Sequence, residues 1–121
     1  MLSPLTNQQS NVDGTLSEEE FTWLTMRAQG GFGLTMTCAS HVQRIGQGFP
    51  GQLGCFGDEH AVGLKRIADA IRATGNLSYV QLHHAGNRSP KELIGEVPVC
   101  PSEDAETGAR ELTRAEVEQL I

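Results

Sequence analysis

The residues best equipped for chemistry lie close together: Gln81, His83, His84, Asn87 and Arg88, within Leu77 to Arg88, L-S-Y-V-Q-L-H-H-A-G-N-R. The first half of this stretch predicts a buried strand. A strand ending in such groups delivers hydrogen-bond donors and acceptors to one rim of a sheet, where α/β folds keep their chemistry. Period-two alternation sets Leu77, Tyr79, Gln81 and His83 on one face and Val80 and Leu82 on the other, so Gln81 points away from the face that packs on helices. Its amide offers both a donor and an acceptor, which suits a flat heterocycle presenting the complementary pair. A surface strand end with solvated polar residues fits the same stretch, and these residues alone leave both readings open.

The elements that must position this rim follow from capping and periodicity. Leu2 to Thr6, with Pro4 inside it, suits the last residues of a strand or its exit turn. After the polar run Asn7 to Gly14, Ser17 and Glu20 have capping-box spacing and Leu16 and Phe21 staple spacing, which predicts a helix from about Glu18 to Ala28, stopped by Gly30-Gly31. Gly33 to Val42 reads as a strand ending in Cys38, Ala39, Ser40 and His41. The glycine-rich stretch Gln43 to Gly57 reads as a mobile loop too long for a plain connector. Asp58 is placed to cap a helix with an apolar stripe of Val62, Leu64, Ile67, Ala68 and Ile71, ending at Thr74-Gly75. Strand, helix, strand, helix, strand implies a parallel sheet with right-handed crossovers. Ala85 to Leu112, with Pro90, Pro98 and Pro101, should be extended or looped over the sheet, and Thr113 with Glu116 opens a last helix.

Composition narrows the classes. A formal charge of -6 without a Lys/Arg cluster argues against nucleic acid or an anionic membrane as partner. Cys38, Cys55 and Cys100 lie far apart, which suggests reduced thiols and a cytoplasmic location. No apolar run approaches the roughly 20 residues of a membrane span. Gly46, Gly48 and Gly51 spell G-x-G-x-x-G, but Pro50 interrupts it and no helix opens on its last glycine, so a dinucleotide site is not expected there. His83 and His84 are strand neighbours facing opposite ways, and no metal site is expected.

Taken in order, S-P-L-T, D-G-T-L-S before a helix ending in R-A-Q-G-G-F-G-L, D-E-H ahead of a helix, Q-L-H-H-A-G-N-R, C-P-S and E-L-T-R-A-E-V resemble the Old Yellow Enzyme family of FMN-dependent oxidoreductases. The resemblance covers nearly the whole chain, and the motifs are specific as a set. It implies an α/β fold, a parallel (β/α)8 TIM barrel with FMN at the carboxyl ends of the strands. Pro4, Leu5 and Thr6 would then lie beside the isoalloxazine ring, with the Thr6 hydroxyl near the flavin O4. The Ala39 backbone would lie beside the flavin and the Gln81 amide against its pyrimidine edge. Asn87 departs from the family's H-A-G-R.

The implied reaction takes hydride from NAD(P)H through FMN to the β-carbon of an activated alkene, a small-molecule substrate, with a proton added at the α-carbon. A barrel of this type needs about 250 residues, so residues 1–121 are expected to be the amino-terminal fragment of one FMN-binding barrel domain, about three βα units. The catalytic residues, meaning the substrate-anchoring pair and a proton-donating Tyr, are expected beyond Ile121. A non-catalytic remnant that keeps only a flavin-facing rim is the alternative, and the oligomeric state is left open.

Overall fold

A computed structural model describes residues 1–121. Helix α1 spans Glu18–Gln29, strand β1 Leu34–His41, helix α2 Asp58–Ala73 and strand β2 Leu77–His83. There follow α3 (Lys91–Ile94), β3 (Val99–Cys100), β4 (Arg110–Glu111) and α4 (Arg114–Leu120). β1 and β2 pair in parallel from Leu34↔Leu77 to His41↔His83. The expected first strand is reduced to one parallel bridge, Leu2↔Thr35. The strand-helix-strand order is therefore as expected, and the helices cover one face of the sheet. No helix is long and apolar enough to cross a membrane.

The core forms where the two long helices meet. Leu24 and Ala28 of α1 pack with Ile67 and Ile71 of α2, and Leu2, Leu16, Phe21 and Trp23 close around them. The stripe expected on α2 is narrower than the sequence suggested, because Val62 is 76% exposed. Five residues at 3.6 per turn put it about 140° from Ile67, off the buried face.

Both helix starts differ from expectation in instructive ways. At α1 the Ser17 hydroxyl accepts the Glu20 N–H at 3.1 Å, as a capping box requires. The Glu20 carboxylate does not reach back. It turns inward, fully buried, and accepts from the Ser10 hydroxyl and from the Cys38 thiol at 2.9 Å. Two donors inside outcompete one backbone N–H at the surface. At α2 the helix starts one position early: Gly57 is the N-cap and Asp58 the first helical residue. The ring of His60 substitutes for a capping carboxylate, its Nδ1 accepting the Gly57 N–H at 3.2 Å. At α4 the Thr113–Glu116 box forms in both directions.

The stretch Gln43 to Gly57 is tied down rather than free. His41 bridges Gly54, with N–H bonds from His41 to Leu53 O (2.9 Å) and from Cys55 to His41 O (3.0 Å). Gly54 N–H reaches Gly14 O and Ser10 N–H reaches Gly51 O. Gly51 has φ +68°, and a Cβ there would meet the Gln8 carbonyl at 2.4 Å. That glycine serves a close backbone crossing. The tail of the chain also holds more structure than expected, since β3 and β4 pair in parallel over two residues each.

Candidate functional site

One irregularity decides what faces the open side of the sheet. Met36 pairs with Tyr79 and Ala39 with Gln81, so three steps on β1 oppose two on β2. The extra residue is a β-bulge at Thr37–Cys38, and both of these side chains are buried. Strict alternation would set Ala39 on the buried face of Thr35 and Thr37. The bulge re-phases the strand, and Ala39 emerges half-exposed beside Gln81. Thr37 repairs the ladder where the bulge breaks it, its hydroxyl accepting the Gln81 backbone N–H at 3.2 Å.

On β2, Ser78 lies opposite the fully buried Thr35, and Ser78, Tyr79 and Val80 border a small cavity with Leu64, Ile67 and Ala68 of α2, which puts Ser78 on the helix-facing side. The strand expected to be buried is not, since none of its residues is buried and Leu82 is 71% exposed. Alternation then gives Gln81 and His83 to the opposite face, as the sequence indicates. The Gln81 side-chain amide makes no hydrogen bond within the chain; only its backbone N–H is engaged. Pro4, Leu5 and Thr6 follow Leu2, which makes a single parallel bridge to Thr35. Leu5 is 59% exposed. Ala39 and Gln81 thus lie opposite each other on the paired strands, whereas Pro4, Leu5 and Thr6 lie outside the two-stranded sheet.

Residues not singled out hold that end in place. Gln52, fully buried, accepts the Gly48 N–H at 2.7 Å and donates to the Ala39 carbonyl at 2.9 Å and to His83 Nδ1 at 3.1 Å. A glutamine inside a glycine-rich loop carries no periodic signal, so only the folded contacts reveal it. Below the bulge stands the Glu20–Cys38 pair. His41 packs on Phe56 and Phe56 on His60, with ring centroids 4.9 and 4.4 Å apart. Burial lowers the proton affinity of His41 and His84, so both imidazoles favour the neutral form.

Cys38 carries a testable consequence. Burial, and then the charge and hydrogen bond of Glu20, push its thiol up to about 12. A raised folded value contributes stability that is complete below the unfolded thiol's range and is lost as pH rises toward the folded one. Urea unfolding is therefore expected to show falling stability between about pH 9 and pH 12. Cys38→Ala should flatten that slope. An unchanged alkaline slope in the variant would count against the Glu20–Cys38 contact.

Residues 1–121 match the NADH:flavin oxidoreductase / NADH oxidase family. The chain is 38% identical over 124 residues to the probable NADH-dependent flavin oxidoreductase YqiG of Bacillus subtilis, covering 99% of this chain and 33% of that protein. It is 31% identical over 127 residues to the NADH:acrylate oxidoreductase of Vibrio harveyi, covering all of this chain and 12% of that one. Among solved structures, the Old Yellow Enzyme homologue of Zymomonas mobilis superposes with a TM-score of 0.87 at 26% identity, over 98% of this chain and 37% of that one. The chain thus spans about a third or less of the length of these relatives. The parallel βα units described above superpose on part of that Old Yellow Enzyme homologue, and the chain belongs to the NADH:flavin oxidoreductase / NADH oxidase family.

Proposed function

We propose that this chain is the amino-terminal part of one barrel domain and forms one rim of its FMN site, in an oxidoreductase that reduces an activated alkene. FMN, when bound, supplies two-electron transfer from NAD(P)H to that acceptor. The observation that carries the reading is the bulge, which turns Ala39 onto the face of Gln81. There the small Ala39 offers backbone and little bulk, and the unengaged Gln81 amide offers the donor-acceptor pair that a pyrimidine edge requires. Pro4 and Leu5 would pack beside the ring, and the Thr6 hydroxyl would donate toward O4.

The flavin-loaded protein tests this directly. NAD(P)H should bleach the flavin under anaerobic conditions, and an α,β-unsaturated carbonyl compound should restore its colour. Protein that takes up no FMN would favour a non-catalytic remnant. A narrower expectation concerns Thr6, because a donor at O4 stabilises charge on a reduced ring. Loss of one hydrogen bond of about 1 kcal/mol in Thr6→Ala corresponds to a potential more negative by roughly 20 mV. An unaltered potential would remove Thr6 from that role.

A further inference from the structure

Beyond Gln81, β2 ends at a cleft lined by two histidines and an arginine. His83, His84, Ala85 and Arg88, with Gly48 and Phe49, line an open cleft of about 220 Å³. A water molecule in the liquid occupies about 30 Å³, so the cavity holds ~7 waters' worth of volume, enough for one small polar group and too little for a nucleotide. Neither Ala39 nor Gln81 lines it.

The hydrogen-bond network fixes what His83 presents. Gln52 accepts a backbone N–H through Oε1 and donates to the Ala39 carbonyl through Nε2, so its amide cannot be turned round. The same Nε2 must then donate to His83 Nδ1. A neutral ring whose Nδ1 accepts carries its proton on Nε2. His84 is set the same way, since its Nδ1 accepts the Gly86 N–H at 3.0 Å, and its Nε2 is buried without a partner. That ring lies against Gly46, where an added Cβ would meet Nε2 at 2.9 Å, so this donor faces the chain rather than the cavity.

Arg88 supplies the charge. Each other arginine is engaged: Arg27 with Trp23, Arg44 with the Ile94 carbonyl, and Arg66, Arg72, Arg110 and Arg114 with carboxylates. The Arg88 guanidinium has no hydrogen bond or ion pair, in a chain whose net charge is -6. No carboxylate, hydroxyl or amide side chain lines its cavity. We propose that His83 and Arg88 form a subsite for an anionic oxygen group, a carboxylate or a phosphate, held by the His83 Nε2–H and the Arg88 guanidinium. The inference rests on the flavin reading only for the source of the anion, which is a substrate carboxylate or a phosphate of the nucleotide reductant.

The test reads the imidazoles themselves. Flavin-loaded protein labelled with ¹⁵N-histidine is titrated with propionate and, separately, with inorganic phosphate, while long-range ¹H–¹⁵N spectra are recorded. Before titration both His83 and His84 should appear as Nε2–H tautomers. At least one anion should then shift His83 saturably, propionate alone indicating a substrate carboxylate and phosphate alone the reductant. Arg88→Gln, at an exposed position, should leave the melting temperature unchanged and weaken binding about tenfold or more. A silent His83 with both anions, or equal affinity in Arg88→Gln, overturns the proposal. Repeating the titration without FMN separates the two readings. A His83 response in protein that takes up no flavin sinks the flavin assignment and leaves the anion subsite standing, whereas flavin uptake with a silent His83 does the reverse.

Discussion

Glu20→Ala is expected to destabilise the fold by about 2–4 kcal/mol, read as a drop in the urea midpoint at unchanged slope. The carboxylate is fully buried and gathers the Ser10 hydroxyl and the Cys38 thiol. Truncation strands a buried hydroxyl, worth about 1–3 kcal/mol, and opens a cavity under β1. An opposing effect exists, because a carboxylate away from water costs solvation energy that alanine no longer bears. Well-packed isosteres can cancel that cost, but alanine leaves the hole and the orphaned donor together. Glu20→Gln should cost less than half as much, since its volume is kept and a serine hydroxyl can turn from donor to acceptor. A midpoint in Glu20→Ala equal to that of the unaltered protein would mean that solvation cancels the contacts. Because the Cys38 thiol sits in the bulge, the alanine variant should also loosen Ala39 and weaken flavin uptake.

Gln81→Leu addresses the rim itself. Its amide engages nothing within the chain, so the fold should survive with an unaltered melting temperature. Flavin affinity should fall by about 1–3 kcal/mol, which is a roughly 5- to 150-fold rise in the FMN dissociation constant, because the polar edge of the ring is left unpaired against leucine. Fluorescence quenching of FMN measures this. An unchanged dissociation constant would take Gln81 out of the site.

Much of this architecture is legible in the chain because local rules agree with the fold. Ser17 before an acidic turn, Gly30 after Gln29, the Ile67–Ile71 stripe and the Thr113–Glu116 box each mark an element boundary or face found in the structure. The run of Gln81 and His83 at a strand end was equally readable. What escaped has its cause at long range. The bulge lies in T-M-T-C-A-S, with no glycine or proline to announce it, and it is fixed by Thr37 reaching Gln81 from another strand. Glu20 has the spacing of a surface cap and is drawn inward by Cys38, eighteen positions on. The stretch Gln43 to Gly57 has the composition of a mobile loop, yet Gln52 and Leu53 are buried by partners on β1 and β2.

Ala39 and Gln81 pair across the sheet, and on the proposed function both meet the flavin. Titrating ¹⁵N-labelled protein with FMN while following the Gln81 side-chain amide and the Ala39 backbone amide tests it most directly. Both resonances are expected to shift together and to saturate at one equivalent of FMN. Flavin uptake that leaves both resonances unmoved, or no uptake at all, would contradict it.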